Sequence, residues 1–223
     1  MEMLIVVLII SFISTIGINT YRNQRTQVQY NDAVLKVLSM IKTARESAIT
    51  SRSTYDPNGC RPAGEETFVP PEGYGVYIER STVAGQARFV LFANTKADDI
   101  QGVKKNQFDD PKEIGDLCAS DLVEEEFQLN GLAVLNDLLT NITPPVTPLK
   151  SKARADEDRV VILFKNPAAD TIIAANDHPI DAVDLTLPLN LYLQFRRGTA
   201  ATGSPSSYIH VNQMAGFAEI LNQ

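Results

Sequence analysis

The spacing of hydrophobic residues along this chain changes character twice. From Met3 to Ile18 almost every position is apolar, through Leu4, Ile5, Val6, Val7, Leu8, Ile9, Ile10, Phe12, Ile13, Ile16 and Ile18. Only Ser11, Ser14, Thr15 and Gly17 interrupt the run, and a single acid, Glu2, stands at its head. After Tyr21 the chain turns polar with Arg22, Asn23, Gln24 and Arg25. Apolar residues then return at spacings of three and four (Val34, Val37, Leu38, Ile41, Ala44, Ala48), which puts one greasy stripe along an otherwise polar helix. No proline occurs before Pro57, so both stretches can form one rod. Extended to Arg52 it would be about 80 Å long at about 1.5 Å per residue.

Beyond Arg52 the helical period is lost. Tyr55–Pro62 and Pro70–Gly73 are rich in turn residues and mark the passage from rod to head. Alternation then predicts strands over Tyr74–Arg80, Ala87–Phe92, Leu122–Leu129, Arg159–Phe164, Thr171–Ala175, Val183–Phe195, Ser207–Asn212 and Gly216–Leu221. Leu132–Leu139 fits a strand or a short helix equally well. Lys165–Ala168 reads as a hairpin turn; Thr143–Pro148, Lys150–Asp158 and Gly198–Pro205 read as exposed connections. The expected architecture is α+β. A long N-terminal helix over 1–53 divides into an apolar part, 1–19, and an amphipathic part, 20–53. The latter packs through Val34, Val37, Leu38, Ile41 and Ala48 on a mostly antiparallel β head, 54–223.

The apolar run is slightly shorter than the roughly 20 residues that span a bilayer. A secretory signal peptide is the rival reading, but that needs a basic n-region and a small-residue cleavage site, and neither is present around Met1-Glu2. A carboxylate at mid-bilayer costs about 2.5–3.5 kcal/mol, so Glu2 calls for a reason beyond sitting at the headgroups.

Met1-Glu2-Met3-Leu4-Ile5-Val6-Val7-Leu8-Ile9-Ile10, followed by Tyr21, resembles the N-terminal segment of type IV pilins and type II secretion pseudopilins. The resemblance is strongest over Met1–Arg52. It implies a leader, and Phe-Thr-Leu-like residues, upstream of Met1, with cleavage by a prepilin peptidase and methylation of the new terminus. Glu2 matches the family's glutamate within the apolar helix. Asn19 stands where many major pilins carry Pro, and Ser11 where they often carry Gly. Glu2, Gly17, Asn19 and Tyr21 are the assembly positions that the likeness singles out. Within the family the chain is most similar to the minor pseudopilin H and FimT-like branch. The quoted residues are Ala44-Arg45-Glu46-Ser47-Ala48-Ile49 on the helix and a Gly-centred hairpin, Ile209–Ile220 around Gly216. The function implied is a structural one: a minor subunit of a pilus or secretion pseudopilus. It would be a single-pass bacterial membrane protein, its head outside the cytoplasm, whose partners are like subunits and the inner-membrane assembly machinery. Arg22 and Arg25 then lie outside, against the positive-inside tendency, and the implied leader would carry the basic residues that outweigh them.

Charge narrows the choice. With 27 acids against 20 bases, net -7, the chain is a poor general polyanion binder. Its basic clusters, Arg196-Arg197 and Lys150–Arg154, keep a DNA-receptor pilin as one alternative; a signal-anchored β domain that never assembles is the other. No nucleophile elbow, P-loop or dinucleotide fingerprint occurs, and His178 and His210 have no companion at metal-ligand spacing, so no enzyme is expected. The acids concentrate in Asn94–Glu126. Within it, in the loop Asn94–Glu113, Asp98, Asp99, Asp109, Asp110 and Glu113 carry oxygens of the kind Ca²⁺ takes, but without the EF-hand spacing and with Lys104 and Lys105 intruding; a solvated acidic loop is the preferred reading. Cys60 and Cys118 are the only cysteines. In an exported head they are expected to pair, closing a loop of about sixty residues worth about 4 kcal/mol in the chain-entropy model, with two free thiols as the alternative.

Overall fold

The computed structural model describes residues 2–55, 68–69, 71–81, 86–95, 108, 111, 121–129, 133–141, 147–148, 157–175, 190–197, 206–213 and 216–222. One helix, α1, runs unbroken over Glu2–Ile49. It passes through Gly17 and Asn19, and within the apolar run the Thr15 hydroxyl donates to the Ser11 carbonyl at 2.8 Å. The rod ends at Ile49, well before Pro57. Ser51 takes a left-handed conformation (φ 45°), its N–H donates to Ala48 O at 3.1 Å and that of Arg52 to Ser47 O at 3.2 Å. This pair of bonds is the Schellman arrangement, which favours glycine at the left-handed position. Ser51→Gly is therefore expected to raise stability by about 0.5–1 kcal/mol, and Ser51→Val to lower it, in urea unfolding of the detergent-solubilised chain.

Twelve strands follow among the described residues. β1 (Thr54–Tyr55) and β2 (Phe68–Val69) make a small pair after the helix. The others are β3 (Gly73–Ser81), β4 (Ala87–Asn94), β5 (Leu122–Gln128), β6 (Ala133–Asn141), β7 (Thr147–Pro148), β8 (Glu157–Lys165), β9 (Asp170–Ala175), β10 (Asn190–Arg197), β11 (Ser206–Asn212) and β12 (Phe217–Asn222). They form two five-stranded antiparallel sheets, ordered β5-β4-β3-β8-β9 and β12-β11-β10-β6-β7. The chain changes sheet after β5, β7 and β9, so neither sheet can form from one contiguous segment.

Alternation places Tyr74, Val76, Ile78, Phe89, Leu91, Val160, Ile162 and Phe164 on the inner face of the first sheet. Leu135, Leu138, Leu191, Leu193, Phe195, Ile209 and Val211 do the same for the second. Both faces share one core with Val34, Val37, Leu38, Ile41, Ala44 and Ala48 of α1, all buried as the helical spacing predicts, together with Tyr30, Ala33 and Met40. The first sheet is buried on its other face as well, where Phe108 packs on Tyr77 and Phe92 with ring centroids 4.9 and 4.7 Å away.

The segment 132–139 resolves as strand. A bulge opposite Gln194 and Phe195 lets Leu135 pair with Phe195 and Leu138 with Leu193, leaving Asn136 out of register. Two core leucines three apart imitate a helical period, which is why periodicity alone left the element undecided. Thr147–Pro148, expected in an exposed connection, pairs with β6 as β7. The hairpin turn over 165–168 is present, with a cis bond at Asn166-Pro167. Of the strand expected over 183–195, the described part is β10.

Candidate functional site

The feature that a self-contained head would not need is the first half of α1. Ile5, Val6, Val7 and Leu8 are all exposed, as are Ile10, Phe12, Ile13, Ile16 and Ile18. Four successive residues at about 100° per step cover the whole circumference of a helix, so no face of this segment is docked on the head. An 18-residue window has mean hydropathy 1.6 with none of it buried, and α1 is long and apolar enough to cross a membrane. Gly17 leaves open surface, with no atom within 4 Å of a built Cβ, and Tyr21 projects 66% exposed.

The second half is gripped by both sheets. Arg197 of β10 donates to Gln27 Oε1 at 3.1 Å and to the Asn23 carbonyl at 2.8 Å. One turn on, the buried Tyr30 hydroxyl donates to Phe195 O and accepts from the Ser207 N–H, both at 3.2 Å. That single oxygen ties the helix to β10 and β11 together. Lys36 forms an ion pair with Glu125 of β5. At the exit of the helix the Tyr74 hydroxyl donates to Arg52 O at 2.7 Å, and burial pushes its pKa up. Beside it Thr54 donates to Glu124 at 2.7 Å. The grip runs from Asn23 to Arg52, and the free part is what precedes it.

The gripped half also carries apolar residues on its outward side. Val28 is 57% and Leu35 53% exposed, seven residues apart, and with Tyr21 they line the back of the helix. Isolated exposed apolar residues are ordinary, but a stripe continuous with a wholly apolar segment marks a contact surface.

Other expected positions fall differently. Glu2 is the first described residue of α1. Cys60, Cys118, Asp98, Asp99, Asp109, Asp110, Glu113, His178, Gly198–Pro205 and Lys150–Arg154 lie outside the described residues. Within the acidic loop Asn94–Glu113, Phe108 is buried under the first sheet, so that loop is not solvated throughout; beyond it, Asp121 is 2% exposed. Glu79, Arg88, Glu126 and Arg159 make a ladder across neighbouring strands, with Arg88 Nε 2.9 Å from Glu126 and Arg159 3.1 Å from Glu79. His210 is a strand residue as read, stacked on Tyr192 at 4.6 Å and within 3.2 Å of Glu219. Tyr30 is the site residue that the sequence reading missed, since a tyrosine in a polar stretch carries no signal of its own. Arg197, read as half of a basic cluster, binds the helix instead.

Comparison of the chain with family models, with curated proteins and with solved structures finds no match.

Proposed function

We propose that the chain is a structural subunit, in a minor role, of a type IV pilus or type II secretion pseudopilus. In this reading prepilin peptidase processes it, the first half of α1 holds it in the bacterial membrane with the head outside the cytoplasm, and subunits assemble helix to helix. The observation that carries the reading is the division of one unbroken helix: its second half is locked into the head, while the large apolar residues described in its first half are exposed on every side. From Glu2 to Arg22 the rod measures about 30 Å, the thickness of a bilayer's hydrocarbon core. The prepilin-like Met1–Arg52 supplies the family. The DNA-receptor alternative has less behind it, because Arg197, half of a basic cluster, is committed to Asn23 and Gln27.

The test is fractionation of cells expressing the chain behind a prepilin leader, before and after shearing. Recovery in both membrane and sheared filaments is expected. A chain found only in membranes, in a host with a working assembly machine, would leave a signal-anchored domain that never assembles. Recovery in the soluble fraction would remove the anchor. Leu35→Glu probes the outward stripe: because Leu35 is more than half exposed, stability should change by less than about 0.5 kcal/mol. Filament recovery should fall about tenfold, as expected when a charge is placed in an apolar helix–helix contact without a partner.

A further inference from the structure

Where α1 passes the gap between the two sheets, the surface is not sealed. Lys42, Arg45 and Glu46 of the helix, Phe164 at the end of β8, and Phe217 and Ala218 at the start of β12 line a cleft of about 270 Å³. The two segments noted in the sequence, Ala44–Ile49 and the hairpin around Gly216, meet at this point. Gly216 sits at φ 59°, and a Cβ there would lie 2.9 Å from Thr171 Oγ1 and 3.5 Å from Arg45 Nε. The hairpin backbone thus lies against one edge of the guanidinium. That Nε is buried and makes no hydrogen bond, and among the described residues neither Lys42 nor Arg45 forms an ion pair.

We propose that this cleft binds a carboxylate carried on an apolar peptide segment of a partner protein. A guanidinium shielded along one edge has lost part of its hydration, which strengthens the charge-assisted bonds that a carboxylate makes to its remaining nitrogens in the fork geometry that suits both. Lys42 stands three residues earlier on the same helix face and adds a second cation. Glu46 offsets one of the two, leaving one net positive charge, which matches a carboxylate better than a phosphate dianion. The cleft is several times the volume of a small ion with its water, at about 30 Å³ per water, and Phe164, Phe217 and Ala218 give it an apolar wall. A side-chain carboxylate with an apolar neighbour fills both parts; acetate fills only one. The proposal does not depend on whether the chain assembles into filaments.

The test is an NMR titration of the detergent-solubilised full chain, following the arginine Nε–Hε resonances. The probes are acetyl-Leu-Asp-Leu-amide, its Leu-Asn-Leu counterpart, and acetate. The aspartyl peptide is expected to shift the Arg45 resonance saturably, the asparaginyl peptide not to, and acetate to act at least about tenfold more weakly. The aspartyl peptide should also shift the ring resonances of Phe217; Lys42→Gln should weaken its binding several-fold, and Arg45→Gln, which assigns the Arg45 resonance by its loss, should abolish the Phe217 shift. Equal binding of acetate and peptide would reduce the site to a small-carboxylate site and overturn the partner reading. No shift at millimolar peptide, or equal shifts with both peptides, would overturn the proposal outright.

Discussion

Phe89→Ala is expected to cost about 4 kcal/mol of head stability, a large part of the roughly 5–15 kcal/mol that holds a domain together. Phe89 is fully buried in the middle of β4. Its ring stacks on Phe195 of β10 at 6.4 Å and 23°, and lies 6.4 Å from Phe127 of β5. It is thus an aromatic bridge from one sheet to the other, in a core whose sheets are each assembled from separate segments of chain. Truncation removes the burial of a whole ring, leaves a cavity, and forfeits an aromatic pair worth about 0.5–1.5 kcal/mol beyond its area. Urea unfolding of the detergent-solubilised chain, read by near-ultraviolet circular dichroism, should show the midpoint fall with little change in slope. A loss under about 1.5 kcal/mol would mean that the sheets do not depend on this contact. Membrane recovery should persist, because α1 before Asn23 makes no use of the head.

The second large effect concerns assembly and leaves stability alone. A Glu2→Gln or Glu2→Ala subunit is expected to fold and enter the membrane normally but to be recovered in sheared filaments at least about tenfold less well. A carboxylate among apolar helices is tolerable only when paired, and nothing in Met3–Ile18 can pair with it. In the proposed pilin reading the partner would be the processed amine of a neighbouring subunit. Such a contact would set the axial register, since both charges go unpaired at every wrong offset. The head is gripped from Asn23 onward, some 30 Å along the rod, so urea midpoints should match the unmodified chain. Normal filament recovery would mean that Glu2 is only an acid at the headgroup level.

What could be read from residues alone followed the strength of the local signal. The stripe Val34–Ala48 was legible because one helix face repeats a single demand, and the free half because it shows no period at all. Strands such as β3 and β8 alternate cleanly between two buried faces. The reading failed where a residue's partner is remote. Phe108 looked like part of an acidic loop because its neighbours are Asp109 and Asp110, yet Tyr77 and Phe92 decide its place. Leu135 and Leu138 kept a helical spacing because a bulge lies between them. The role of Tyr30 depends on two strands more than 160 residues further along, and no local pattern encodes that.

The division of α1 also has a mechanical side. A pull on its free end enters the head at Asn23 and Tyr30 and is spread along the contact as far as Arg52, about 45 Å of helix. The load then runs parallel to the interface. The head cannot peel off residue by residue; the whole stripe has to slide together. A slip of one turn, about 5.4 Å, would take the Tyr30 hydroxyl from its place between β10 and β11 and bring every buried side chain of the stripe against the wrong hollow at once. Tension is therefore met by shear resistance from both sheets simultaneously.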